Sequence, residues 1–253
     1  MRAAMTLVER ELTRFFRQPN RVVGGLGQPL IFWVLFGAAF KTSFKAPPGS
    51  ENYAQFFLPG VGILITLFVA IFATISIIED RKEGFLQGVL VAPCSRASIV
   101  MGKVLGSTVL AVLQAGLFLL IAPLAGIPLT PLSMLAAIGV LGLVAFALSS
   151  LGFCIAWRMD STQGFHAIMS VFLMPLWLLS GAFFPVAGRE DWLAWIVRLN
   201  PLSYGLAALR HALGMGSEGY PPGVSIAVTL GFAVVLFGLA LALARRPAAG
   251  DLR

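Results

Sequence analysis

The densest run of ionisable side chains is EDRKEGFLQGVLVAPCSR, residues 79–96, which holds six of the chain's 29 charged residues. Glu79, Asp80 and Glu83 open it, where carboxylates suit a helix N-terminus. Phe85, Leu86, Val89 and Leu90 follow at the spacing of one helical face, Pro93 stops the helix, and Arg96 and Lys103 lead onward. These residues have the chemistry of contact: an apolar anchor with a polar rim. A solvated loop lying on a membrane would show the same pattern. Other chemistries fail on spacing. MGKVLGST (101–108) has a Gly-Lys, but Val104 follows it and the upstream glycine is missing, so it cannot cradle phosphates. Ser180-Gly181 has Leu178 where a serine nucleophile would need glycine, while His166 lies upstream at the opposite membrane face and His211 in the outer loop. Two cysteines, Cys94 and Cys154, make neither a disulfide framework nor a Cys metal site.

The elements that carry these residues are apolar. Only 11% of the 253 residues are charged and 58% are hydrophobic, against roughly 25% charged in soluble domains. Residues 22–40, 52–78, 104–157, 161–188 and 219–244 contain no Asp, Glu, Lys or Arg. About 20 apolar residues cross a bilayer, and Pro123, Gly126, Pro128 and Pro131 divide the 54-residue run in two. Six membrane helices are predicted, near 22–40, 58–78, 104–124, 132–156, 166–184 and 224–243. Gln28, Thr66, Ser76, Gln114, Ser149, Ser150, Ser170 and Ser180 are their polar members, with His166 near an end. Small residues such as Gly60, Gly62 and Gly152 suit close helix packing.

The Lys and Arg residues set the orientation. Segments 1–21, 79–103, 157–165 and 244–253 carry 13 of them and the opposite side carries 5, which places both termini in the cytoplasm. Five arginines precede the first apolar run, too long a lead for a typical cleaved signal peptide, so this segment is expected to be retained. Val8, Leu12, Phe15 and Phe16 make one face of an amphipathic helix, and Arg10, Arg14, Arg17 and Arg21 make another. Such a helix is expected along the headgroups with its arginines toward anionic lipid, either as an orientation anchor or as a brace against a partner. On the outer side, 41–57 is a polar connector. In 185–223, Trp192, Trp195, Ile196 and Leu199, then Leu202, Leu206, Leu209 and Leu213, predict two short amphipathic helices dipping into the outer leaflet. Arg189, Arg198 and Arg210 are expected to reach headgroups, and the pair either anchors the chain or covers an exit.

IEDRKEGFLQGVLVAPCSRASIVMGK resembles the cytoplasmic signature of ATP-binding-cassette type-2 exporter permeases. Glu79, Asp80, Arg81, Gly84, Leu86, Leu90, Pro93, Arg96, Gly102 and Lys103 match that pattern. Phe85, Gln87 and Ala92 depart from residues common in the family. SGAFFP (180–185) is similar to the family's close of the fifth span, and NPLSYGLAALR (200–210) to its Asn-Pro-Leu-Ser/Thr-Tyr stretch, with Ala207 replacing a frequent acid. The resemblance spans the whole chain. It implies a single all-α permease domain, 1–253: interfacial helix 1–21, six spans, coupling segment 79–103 and an extracytoplasmic helical hairpin at 185–223. It also implies a second permease protomer, homodimeric or closely similar, and a separate cytoplasmic ATPase subunit holding the ATP and Mg, with no cofactor in this chain. Glu79, Asp80, Arg81, Glu83, Gly84, Phe85, Leu86, Val89, Leu90, Pro93 and Arg96 would couple to that ATPase. Ser180, Gly181, Phe184, Pro185, Asn200, Pro201 and Tyr204 would form an outer gate.

The resulting expectation is a transport subunit, not an enzyme by itself, in a bacterial inner membrane, exporting an amphiphilic drug, lipid or glycan. The rival is a secondary carrier or channel needing no ATPase. Such carriers usually keep an intramembrane carboxylate as a relay, and no predicted span has one at mid-membrane. A regulatory or scaffold membrane protein is the third reading; it would show no substrate-dependent ATPase stimulation.

Overall fold

The structure is a computed structural model, and it describes residues 2–17, 19–41, 50–91, 95–185, 192–217 and 219–245. Its regular elements are α1 (Arg2–Phe16), α2 (Pro19–Ala39), α3 (Tyr53–Ala73), α4 (Ser76–Lys82), α5 (Phe85–Val91), α6 (Arg96–Leu119), α7 (Pro131–Ala156), α8 (Thr162–Trp177), α9 (Trp192–Leu199), α10 (Pro201–Ala212) and α11 (Pro222–Ala244). A 3-10 turn at Ala122–Ala125 follows α6, and a π-helical turn at Leu178–Ala182 ends α8. No strand occurs among the described residues.

Local chemistry sets the boundaries. Asn52, Ser95, Thr130, Ser161 and Asn200 each accept a backbone N–H at the start of the helix that follows, which satisfies donors that helix starts leave open. Proline takes the first helical position in α7, α10 and α11, where its missing N–H costs nothing. The long charge-free run does break where its prolines cluster: α6 gives way to the 3-10 turn, Gly126 takes φ +83°, and α7 starts at Pro131.

Helix α3 is the centre. It touches α2, α6, α7, α8 and α10, and 83% of its most apolar window is buried, against 22% for α11 at the edge. Helix α7 lies between α6 and α11, and α1 lies along α6. Small residues set the close approaches. A Cβ on Gly60 would stand 2.9 Å from Ala182, and one on Gly152 2.7 Å from Thr74 Oγ1. The backbones meet there because neither position carries a side chain.

Among the described residues, five helical stretches are long and apolar enough to cross a membrane: Tyr53–Lys82, Arg96–Leu119, Pro131–Ala156, Thr162–Ala182 and Pro222–Ala244. The first predicted span contains a shorter apolar helix, Gly24–Ala39. Its sixteen residues reach about 24 Å, under the roughly 30 Å of hydrocarbon. The polar Asn20 and Arg21 occupy the turn before it.

Candidate functional site

Two places gather the residues that the sequence singled out. The first is where α1, α4, α5 and α6 meet. Helix α1 comes close because α6 presents Gly102 and Gly106 one turn apart: a Cβ on Gly102 would sit 2.8 Å from Leu7 Cβ, and one on Gly106 3.0 Å from Glu11 Cβ. Ala4 and Leu7 are buried in that contact. The approach carries Glu11 to Lys103 (2.5 Å), and Lys103 also donates to Ser76 Oγ (3.2 Å) and to Asp80. Asp80 is fully buried, and Lys103 and Glu11 are 3% and 5% exposed. Arg10 forks onto both Asp80 oxygens at 2.8 and 3.0 Å, a bidentate geometry. That hydrogen bond raises the Arg10 guanidinium above its ordinary value. Arg14 reaches Asp80 at 3.3 Å and Glu79 at 3.0 Å.

Two cations, Lys103 and Arg10, therefore face two buried carboxylates, Asp80 and Glu11. Charges can be dry here because each has an opposite partner and a hydrogen bond. The lipid-facing placement expected for the α1 arginines does not hold for Arg10 and Arg14. They turn inward because buried carboxylates on the chain itself compete for them. Arg10 also lies 3.8 Å over the Phe85 ring, so α1 holds α5 as well as α4.

The segment expected to be one amphipathic helix is two. Glu83 ends α4, Gly84 takes φ +75°, and α5 restarts at Phe85. Glu79 and Asp80 consequently lie inside α4, not at the start of the apolar helix, because Asp80 is drawn to the buried cations. Arg81 donates to the carbonyls of Trp157 (2.8 Å) and Met159 (3.0 Å) and to Asp160 (3.1 Å). Arg96 donates to Ala244 O (2.9 Å). These two arginines thus close the C-terminal ends of α7 and α11, where carbonyls lack helical donors. Leu86 is 2% exposed and packs into the core, while Phe85 and Val89 are half-buried and Lys82, Glu83, Gly84 and Gly88 are exposed. The side chain of Leu90, and Ala92, Pro93 and Cys94, lie outside the described residues.

The second place joins residues 180–185 to 200–210. Asn200 caps α10 through Leu202 N (2.9 Å) while its Nδ2 donates to Leu176 O (2.7 Å). Ser180 donates back to Trp177 O, Gly181 takes φ +77°, and Gly181 O accepts from Arg210 (3.2 Å). Phe184 and Pro185 are half-buried at the end of this segment, Pro201 starts α10, and Tyr204 packs edge-on against Tyr220. Arg210 does not reach outward as expected. Its guanidinium lies 4.5 Å over Phe56. Arg198 lies over Trp195, and Arg189 is outside the described residues. The predicted helices at 192–199 and 201–212 are present. Trp192, Trp195 and Leu199 are exposed, and Leu202, Leu206, Leu209 and Leu213 are buried.

Sequence reasoning missed an aromatic group beside this second place: Phe36, Tyr53, Phe57 and Trp177 surround Phe183. Tyr53 donates to Phe183 O (3.0 Å) and Trp177 to Gly60 O (2.7 Å). The sequence signal was aromatic residues recurring at the outer ends of three predicted spans. It also missed Glu11, one of two carboxylates, with Glu9, beside the apolar face of an arginine-rich helix.

Comparison with known proteins agrees with this architecture. A putative transport permease, ycf38, of Cyanophora paradoxa is 31% identical over 81% of this chain and 71% of its own length. The daunorubicin resistance ABC transporter permease protein DrrB1 of Streptomyces coeruleorubidus is 23% identical over 96% and 86%. Nodulation protein J of Sinorhizobium fredii is 27% identical over 89% and 86%. The family model for ABC-2 type transporters matches residues 2–213. With its apolar helices and this match over most of its length, the chain belongs to the ABC-2 type transporter family, the multi-pass membrane permease components of ABC transporters.

Proposed function

We propose that this chain is the membrane-spanning subunit of an ATP-driven exporter that moves an amphiphilic substrate outward. Permeases of this family work with ABC ATPase subunits, and the ATP and Mg are held by that partner. The observation that carries the reading is the pair α4–α5. Its Lys82, Glu83, Gly84 and Gly88 are exposed, with Phe85 half-buried beside them, while Asp80, Arg81 and Leu86 fix it to the body. An element exposed on one side and bound on the other by buried charge suits force transfer. Six spans, with α2 as the first, put both termini and this pair in the cytoplasm. A second protomer completes the path, and the 180–185 and 200–204 contact is its outer gate. Export of amphiphiles is supported by the drug-resistance name of one relative and by spans of low polarity.

The test is co-purification with the ATPase subunit, followed by reconstitution. Phe85→Ala is expected to leave membrane insertion intact and to uncouple ATP hydrolysis from transport. Unchanged transport and unchanged ATPase binding in that variant would sink the assignment of α5 as the coupling element.

A further inference from the structure

Movement of the pair α4–α5 has more than one way to the outer side. The chain itself is the first, since α4 follows α3 after Thr74 and Ile75. Helix α3 is a poor lever, however. Neighbours surround it, 83% of its most apolar window is buried, and shifting a close-packed centre means repacking it. A side chain offers another way. Arg81 of α4 reaches the link between α7 and α8, where Nη2 donates to Trp157 O (2.8 Å) and Nη1 to Met159 O (3.0 Å) and Asp160 (3.1 Å). The Arg81 side chain is 12% exposed and that of Asp160 is 69% exposed. The two carbonyls therefore carry the grip, and the exposed ion pair adds little. The link is short: Ser161 accepts from Gly164 N (3.1 Å), and α8 has begun.

Helix α8 has the build of a lever. It spans 16 residues, about 24 Å, and 39% of its most apolar window is buried. Phe165, Met169 and Leu173 form one stripe against the core, while Ile168, Val171 and Phe172 are exposed. A helix packed along one stripe can slide without opening the core. Its outer end is tied to other elements. Trp177 donates to Gly60 O (2.7 Å), Leu176 O accepts from Asn200 (2.7 Å), and Gly181 O accepts from Arg210 (3.2 Å). Pro175 lacks an N–H and Gly181 takes φ +77°, so the helical ladder is interrupted on both sides of the π-helical turn. Bending concentrates at such breaks, and here they flank the contact between residues 180–185 and 200–210.

We propose that Arg81 is a positioning residue that transmits movement of α4–α5 to α8, and that α8 delivers it to this outer contact. The guanidinium holds two carbonyls through two nitrogens in a fixed plane, so the start of α8 follows α4 in rotation as well as in translation. A one-point donor would pull the link without turning it. The inference rests on the permease reading and deepens it by naming the span that carries the movement and the side chain that drives it.

A thiol in the outer contact tests this in the complex with its ATPase subunit, held in lipid nanodiscs. With Cys94→Ser and Cys154→Ala, Ser180→Cys puts the thiol at a position that is 3% exposed. Its labelling by a charged maleimide is followed with and without ATP, beside ATP hydrolysis. ATP is expected to speed labelling in this background. Arg81→Gln should cut the ATP-driven labelling per ATP hydrolysed about fivefold, and Arg81→Lys, a one-point donor, about twofold. A purely structural Arg81 would lower the yield of the complex and leave that ratio unchanged, which overturns the proposal. Loss of the ATPase subunit from the Arg81→Gln complex also overturns it, because Arg81 would then hold the docking surface itself. Should Arg81→Gln not accumulate in the membrane, the ratio in Arg81→Lys decides in the same way. Absence of ATP-driven labelling with Arg81 intact removes the outer-gate reading and this proposal with it. A response there that survives Arg81→Gln removes this proposal alone.

Discussion

Lys103 shares its ammonium between Asp80, Glu11 and Ser76, all buried with it. Removing one member of such a group leaves an unpaired charge in a dry site, which costs roughly 3–5 kcal/mol. Lys103→Met is therefore expected to lower the unfolding temperature of the purified protein by many degrees, read by thermal denaturation in detergent. Adding Glu11→Leu should return part of the loss, because Glu11 is the carboxylate that loses its hydrogen-bond donor while Asp80 keeps Arg10. Little in the sequence revealed this. Asp80 and Lys103 stood out as polar residues beside apolar runs, and both were placed in the coupling segment. Their partners sit on α1, 70 and 92 positions away, at Arg10 and Glu11. Helical periodicity describes one helix at a time and cannot show which side of a neighbour it meets. Arg81 and Arg96 make the same point: their partners are backbone carbonyls, which no side-chain pattern announces.

Helices were more legible, because apolar length and capping chemistry are local. The break after α6, the start of α7 at Pro131 and the two outer helices all followed from proline placement and periodicity. The division of the coupling segment at Gly84 did not, since glycine permits a left-handed turn without requiring one. Gly84→Ala tests how much that turn matters. A Cβ there meets nothing within 4 Å, so the effect is in the backbone alone. A φ of +75° in a residue with a Cβ costs about 1 kcal/mol or more. The variant is expected to fold with a slightly lower unfolding temperature. It should also reduce substrate-stimulated ATP hydrolysis by the reconstituted complex, because the angle between α4 and α5 changes. Full stimulation would show that the turn has no part in coupling.

At the scale of the molecule, centre and edge were not legible in composition: α3 and α11 both come from charge-free runs and are nearly equally apolar, yet α3 lies innermost and α11 at the edge. Hydropathy alone does not separate a lipid-facing helix from a buried one. The proposed orientation is open to a direct test in a background with Cys94→Ser and Cys154→Ala. A membrane-impermeant maleimide should label Ser217→Cys in intact cells and Arg158→Cys only after lysis. The reverse pattern would invert the topology and remove α4 and α5 from the cytoplasm.

The pairing of Glu11 with Lys103 also imposes an order on biosynthesis. When α1 leaves the ribosome its carboxylate has no lysine to meet, and 92 further residues must be made before that lysine exists. During that interval the charges of α1 are hydrated and its apolar face has only the bilayer surface to cover it. A headgroup-level helix is thus the expected state of the nascent chain until α4 offers Asp80 to Arg10 and Arg14, and α6 then offers Lys103 to Glu11.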